Sequence, residues 1–338
     1  MKEQFKNNFD FLRFLCAALI IISHSYALLL GYNNVYQFDW HLLIGQFGLA
    51  SLLVISGYLI PASWERKPSI RHFMWKRFLR FAPGLCVAIF LILLVIGPLA
   101  TNLPLNRYFA ALFSGSTWLM VPIYSANDNL GLFTTNPVPY VDAPLWSIPM
   151  MFFLYFIVAA LGKFNILKLR QSMMPFIVLT FILWLVCYTI QPFDKIRFLI
   201  YFFIGAYFWI NRDKFTYKWY AVAGLWAIAF LFFNTQFFFA VAFIAIPYTI
   251  IWFANLPLKH LSRFGKYGDF SYGMYIYAYP IQQTIIHFLP SVEVWQLIIL
   301  SFAITMPVAA ASWYLIEQHA LLKKNRKEPT EQTEAKST

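Results

Sequence analysis

The chain has 338 residues, 60% of them hydrophobic and only 12% charged, with a mean hydropathy of +0.61. A soluble globular domain cannot hide that much apolar surface, so the repeated apolar runs of about 20 residues read as membrane helices. The formal net charge of +12 would suggest nucleic acid for a soluble protein; here basic cytoplasmic loops and anionic membrane lipids account for it, and nucleic acid is not expected as a partner.

The first apolar segment, residues 10–31, reads DFLRFLCAALIIISHSYALLLG. It is too long for a signal-peptide core and lacks a small-residue cleavage site, so a retained helix is expected. It carries an arginine at 13 and a histidine at 24. A charge at mid-membrane costs about 2.5–3.5 kcal/mol on insertion scales, which points to function. Eleven residues make roughly three helical turns, so the two side chains share a face, about 16 Å apart along the axis. They cannot touch, but one elongated ligand could meet both. The plainer reading has Arg13 snorkelling to the interface and His24 hydrogen-bonding a neighbouring helix, as Ser23 and Ser25 would.

The loop at 32–41 has no Lys or Arg, and a second span covers 42–60. A basic stretch follows, with Arg66, Lys67, Arg71, Lys76, Arg77 and Arg80, before a third span at 81–100. The positive-inside rule places the first loop outside, the second inside and the N-terminus in the cytoplasm. Residues 108–124 are apolar enough to count as a span. Crossing there, however, would put Lys163, Lys168 and Arg170 outside, so a re-entrant or interfacial segment is expected instead.

Further spans follow at 144–162, 175–192, 197–211, 217–233, 237–255, 270–289 and 294–316. Of the 26 basic residues, only Arg107, Lys195 and Arg197 fall outside in this scheme. The expected fold is an all-α integral membrane bundle of about ten transmembrane helices with both termini cytoplasmic. It forms one domain over residues 1–322, followed by a basic, disordered cytoplasmic tail over 323–338. Cys16, Cys86 and Cys187 lie in apolar runs without disulfide or metal spacing, so neither a metal centre nor redox chemistry is expected.

Two further stretches could carry chemistry. In MWKRFLRFAP, residues 74–83, Arg77 and Arg80 are three apart and share a helix face, with Lys76 beside them. Paired guanidinium groups suit a phosphate, although basic residues at a cytoplasmic helix start are also ordinary topology anchors. The outer loop NDNLGLFTTNPVPYVDAPLWSIPMM mixes amides, carboxylates and hydroxyls with aromatic rings. That combination suits a carbohydrate, and a generic polar loop is the plainer reading.

The Arg13–His24 spacing behind FDFLRFL resembles the acyltransferase-3 family of membrane acyltransferases. LLVISGYLI at 52–60, Arg77 and Arg80 followed by Pro83, GDFSYGMYIYAYPIQQ at 268–283 and SWYLIEQHAL at 312–321 are similar to further family motifs in the same order. Ser56 and Gly57 would allow close helix packing, and Asp269 would cap the tyrosine-rich helix. The resemblance implies transfer of an acyl group, commonly acetyl, from acyl-CoA to a hydroxyl of an exported or surface glycan. It implies no permanently bound cofactor, acetyl-CoA or another acyl-CoA being the donor substrate. The other implied partners are a glycan or lipid-linked saccharide acceptor and membrane lipids, at the bacterial cytoplasmic (inner) membrane.

In this reading Arg77, Arg80 and Lys76 bind the donor phosphates, and His24 is the base or acyl carrier. Arg13 stabilises donor phosphate or developing negative charge. Asn136, Trp146, Ser147 and the outer cation Arg197 bind the acceptor. Three departures stand out: Met151 where the family usually places a glutamate five residues after the tryptophan, Asp142–Ala143–Pro144 where small polar residues are expected, and Gln318–His319 where lysine–proline is usual. A thioether neither takes a proton nor pairs with a cation. A transporter or flippase and a non-catalytic relative are therefore the rival readings. The absence of Asp or Glu from the middle of every expected span speaks against a proton-coupled transporter.

Overall fold

The computed structural model describes residues 7–31, 39–114, 130–187 and 193–321. Among them the chain is helical, with no strand beyond one isolated bridge between Thr101 and Leu132. Helix α1 spans Phe9–Leu30 and α2 Trp40–Arg66. Helix α3 spans Ile70–Leu91 and runs on through a π turn at Ile92–Ile96 to Ala100. A short α4 covers Leu105–Phe113. After a 3-10 turn at Ala143–Trp146 come α5, Ser147–Lys163, then α6, Met174–Cys187, and α7, Arg197–Ile210. Helices α8, Trp219–Leu231, α9, Gln236–Ala254, and α10, Ser271–Phe288, follow. Helix α11, Val294–Ser312, continues through a π turn at Trp313–Glu317 to residue 321.

Among the described residues, six helical stretches are long and apolar enough to cross a membrane: Phe9–Leu30, Trp40–Arg66, Ile70–Ala100, Ala143–Lys163, Gln236–Ala254 and Val294–Leu321. Helices α6, α7 and α8 are apolar but shorter. At 1.5 Å per residue they span roughly 20 Å, against a hydrocarbon core of about 30 Å. Prolines lie inside α2, α3, α9, α10 and α11, as membrane helices tolerate where the freed backbone groups find other partners.

Several boundaries differ from the sequence reading; α2, for one, runs on to Arg66 rather than ending at 60. Helix α3 begins at Ile70 rather than at 81, so it takes in the whole basic stretch from Arg71 through Lys76, Arg77 and Arg80. Their polarity masked a helix that Ser69 precedes in extended conformation. Helix α11 runs beyond 316 and buries Glu317, whose Oε1 accepts a 2.9 Å hydrogen bond from Ser312 Oγ. The described part of the 108–124 segment belongs to α4, nine residues long and too short to cross. The remainder of that segment, and the tail 323–338, lie outside the described residues.

The centre of the bundle is the α2–α7 contact. A Cβ on Gly57 would lie 2.0 Å from the Phe202 carbonyl oxygen, and one on Gly205 would lie 2.4 Å from that of Val54. Only hydrogen at both positions lets the backbones meet this closely, which is the small-residue packing expected at Ser56–Gly57. Around this seam Leu53, Val54, Ile55, Phe202, Phe203 and Ala206 form part of the largest buried cluster.

Helices α1 and α10 run parallel and in register. Arg13 lies beside Asp269, just before α10, and the His24 ring meets Tyr279 edge-on at 5.3 Å. Between these levels the two helices rise about 16 and 15 Å, so they stay matched. Gln282 Nε2 ties them by donating to the Ile21 carbonyl at 2.9 Å and to Ser25 Oγ at 2.7 Å.

Candidate active site

Helices α1, α2, α3, α5 and α10 enclose a cavity of about 180 Å³. Its apolar wall comes from α2, through Leu49, Leu52, Leu53, Leu59 and Ile60. Opposite lie three guanidinium groups, from Arg13, Arg77 and Arg80, with Ser147, Tyr155, Ser271 and Tyr275. The volume lies below the 300–1,000 Å³ usual for whole small-molecule sites, so the cavity suits one end of a ligand, a phosphate or an acyl thioester.

The three arginines are held differently. Arg13 Nη1 donates to Asp10 Oδ1 at 3.0 Å, one turn earlier on α1, and lies 3.7 Å from Asp269 Oδ2. Arg80 Nη2 donates to the same Asp269 oxygen, and its guanidinium lies 5.7 Å from the Trp313 ring centroid. Arg77 packs against aromatic faces, 5.2 Å from the Phe73 centroid and 5.7 Å from that of Tyr155. Burial alone would push the Asp269 carboxyl up, but Arg80, Arg13 and hydrogen bonds from Ser271 hold it below the usual carboxylate range. It is therefore an anion at neutral pH.

Above the arginines the chain closes the cavity with polar groups. Ser147 Oγ and Tyr275 Oη lie 2.7 Å apart, and Tyr275 Oη donates to the Pro144 carbonyl at 2.9 Å. The segment leading there descends along α10. Gln283 Nε2 donates to the Val138 carbonyl at 2.7 Å and the Tyr140 carbonyl at 2.5 Å, two turns beyond Tyr275. Residues 138–147 thus travel about 12 Å along α10 between Gln283 and Tyr275. Asp142 lies within this descent, 5% exposed, and neither carboxylate oxygen has a hydrogen-bond partner. Burial pushes its carboxyl well above the ordinary value.

The expected site residues divide accordingly. Arg13, Arg77, Arg80 and Ser147 share the cavity, and so does Met151. His24 is not among the lining residues. It stands at the level of Tyr279, one turn, about 6 Å, beyond Tyr275 along α10. Lys76 does not line the cavity either. Asn136 is 7% exposed, and its Nδ2 donates to the Gln283 carbonyl at 2.9 Å and to Gln283 Oε1 at 2.7 Å, so it fastens the descending loop. Trp146 packs between Lys195, whose Nζ is 4.8 Å from its centroid, and Phe198, at 6.0 Å. Arg197 is 3% exposed and lies between the rings of Phe198 and Phe239, at 5.1 and 5.2 Å.

Sequence reasoning took Asp269 as a helix cap and missed its pairing with Arg80 and Arg13. It also passed over Tyr155 and Tyr275. The tyrosine-rich run 272–279 carried a signal for Tyr275, since Tyr275 and Tyr279 are one turn apart on one face. No group of three or more His, Cys, Asp or Glu suited to a metal occurs among the described residues.

Comparison with known proteins gives this arrangement its setting. Residues 6–317 match the family profile described as an acyltransferase domain. Nodulation protein 10 of Rhizobium leguminosarum bv. viciae is 30% identical over 352 residues, covering 94% of this chain and 93% of that protein. An O-acetyl transferase of Shigella phage Sf6 is 26% identical over 345 residues, covering 95% of this chain and 98% of the phage protein. No solved structure matches significantly. Family profile and relatives span nearly the whole helical bundle, and the chain belongs to the acyltransferase-3 family of membrane acyltransferases.

Proposed function

We propose that the protein is an integral membrane O-acyltransferase that carries an acyl group, commonly acetyl, from cytoplasmic acyl-CoA to a hydroxyl of an exported or cell-surface glycan. The observation that carries this reading is the alignment along α1 and α10 of an arginine-lined cavity with His24 one turn beyond its upper end. The guanidinium groups suit the donor's phosphates, which accept paired charged hydrogen bonds. The apolar α2 wall suits the thioester arm. His24 takes the acceptor hydroxyl proton as the oxygen attacks the thioester carbon. The carbon–sulfur bond breaks, the proton passes on to the sulfur, and CoA leaves as the thiol. In a two-step variant His24 itself carries the acyl group.

In this reading the chain crosses by about ten helices with both termini cytoplasmic, with the arginine cavity nearer the cytoplasm and His24 nearer the outer face. A bacterial cytoplasmic membrane supplies donor and acceptor on those two sides. The phage relative's name, O-acetyl transferase, supports the same chemistry. Met151 favours a second reading, a non-catalytic relative that binds glycan.

Purified protein in lipid nanodiscs, incubated with labelled acetyl-CoA and surface glycans, tests the proposal. Label transferred to glycan is expected. Glycan binding without transfer selects the non-catalytic relative, and solute flux in proteoliposomes without transfer selects a transporter.

A further inference from the structure

We propose that Asp269 is a positioning residue of the donor site: it neutralises Arg80 and Arg13 and leaves Arg77 as the guanidinium that takes the donor's anionic group. This rests on the donor reading above and divides its three arginines into two kinds.

Both oxygens of Asp269 are engaged. Oδ1 accepts from Ser271 Oγ at 2.5 Å, while Oδ2 accepts from Arg80 and faces Arg13 Nη1 at 3.7 Å. The carboxylate is fixed by its backbone as well. The preceding Gly268 has φ +127°, a conformation L side chains rarely adopt, and a Cβ there would lie 2.6 Å from Trp313 Nε1. The same Trp313 ring lies beneath Arg80, so one aromatic side chain packs against both the loop and the cation it delivers Asp269 to. The π turn at Trp313–Glu317 brings this tryptophan and the buried Glu317 to that side of the bundle. Asp10 completes the acid around Arg13.

Arg77 is placed otherwise. Among the described residues no carboxylate pairs with it, and the charged side chains acting on it are Arg13, Arg80 and Arg66, all cations. Its Nε is buried without a hydrogen-bond acceptor. Phe73 and Tyr155 offset part of the desolvation through their ring faces, but a ring satisfies no in-plane N–H. A phosphate oxygen would do so, and Arg77 lines the cavity that could admit one. An anion entering there meets one uncompensated guanidinium and two already matched by acids. Arg80 then matters because, without it, the Asp269 charge would repel the donor.

Calorimetric titration of coenzyme A into the full-length protein in nanodiscs tests this. Arg77→Ala should weaken binding on the order of ten- to a hundredfold, the range of a lost charged hydrogen bond. Arg80→Ala should also weaken it, and adding Asp269→Asn to Arg80→Ala should restore binding to within about threefold of wild type. A double variant as weak as Arg80→Ala alone overturns the proposal, and so does unaltered binding by Arg77→Ala. Should a variant fail to fold, phenylglyoxal labelling of the wild type, mapped by mass spectrometry, decides. Coenzyme A should protect Arg77 and not Arg80, and the reverse pattern overturns the assignment. A wild type that binds no coenzyme A overturns the donor reading itself and this assignment with it; binding with the wrong protection pattern overturns this assignment alone.

Discussion

Arg13 Nη1 lies between two carboxylates, 3.0 Å from Asp10 Oδ1 and 3.7 Å from Asp269 Oδ2. An arginine left unpaired inside the bundle is costly, and Met151 on the cavity wall offers Arg13 no partner, so its pairing comes from elsewhere. Asp10, one turn earlier on the same helix, and Asp269, just before α10, provide it. The cavity can therefore keep Met151 on its wall without stranding Arg13.

His24→Ala should abolish acyl transfer while leaving the folded protein intact. The imidazole meets the Tyr279 ring at 5.3 Å, and among the described residues no hydrogen bond ties it to the fold. Loss of a general base costs about 10²–10⁴-fold in turnover. The checks are transfer of labelled acetyl to glycan and elution as a monodisperse peak from size exclusion. Turnover close to wild type would remove His24 from the mechanism.

Gly57→Ala should be far more damaging than its one added methyl suggests. The new Cβ would lie 2.0 Å from the Phe202 carbonyl, so α2 and α7 must separate. Overpacking of this kind costs typically about 1–3 kcal/mol, and here the obstacle is backbone rather than a movable side chain. A thermal unfolding midpoint in detergent should fall clearly. Gly224→Ala, where a Cβ would meet nothing within 4 Å, is the neutral control. Equal midpoints for the two variants would mean that the seam can relax.

The topology proposal has its own test. In a background lacking Cys16, Cys86 and Cys187, Asn102→Cys should react with an impermeant thiol reagent added from outside. Asn102 follows the long helix α3 and bonds the exposed Thr134 through its side chain at 3.1 Å, so the position is open to reagent. Reaction only after the membrane is permeabilised would invert the assigned orientation.

How much of this was legible in the sequence follows physical lines. Apolar runs located the helices because a bilayer demands about 20 apolar residues per crossing, and the glycine at 57 announced close packing. The start of α3 was hidden because Arg71, Lys76, Arg77 and Arg80 give a helical stretch the composition of a loop. That Arg77 and Arg80 share a face could be read from their spacing of three. Their unequal partners could not, since Asp269 is separated from Arg80 by 189 residues. Asn136 is expected from the sequence to bind the acceptor, and its engagement with Gln283 was not legible there, because it depends on how the loop descends along α10.

Met151→Glu should be tolerated and should raise acyl transfer. The methionine lines the same cavity as Arg13, Arg77 and Arg80, so a new carboxylate would meet cations rather than an apolar wall alone. A paired carboxylate can orient a guanidinium in a way a thioether cannot. Activity and unfolding midpoint should be measured together. An intact midpoint with turnover below the parent would identify Met151 as an adapted part of the pocket wall.

Asp142 makes the last prediction, one with a definite sign in pH. Its carboxyl is 5% exposed, has no hydrogen-bond partner on either oxygen, and burial pushes it well above the ordinary value. The folded chain therefore holds this proton more tightly than the unfolded chain, whose aspartates titrate near about 3.9. The resulting contribution is fully present below that unfolded value and is lost progressively as pH rises toward the folded value. Asp142→Asn is uncharged throughout and cannot lose it. The variant's unfolding midpoint should match wild type at pH 4 or below in the acid range and exceed it by about 2–4 °C for each kcal/mol at pH 7. Only the difference between the two proteins matters, because Asp269, held low by its arginines, gives both the opposite slope at acid pH. Parallel midpoints from pH 4 to pH 8 would show that Asp142 ionises as an ordinary hydrated carboxylate, and that water reaches the loop between Gln283 and Tyr275.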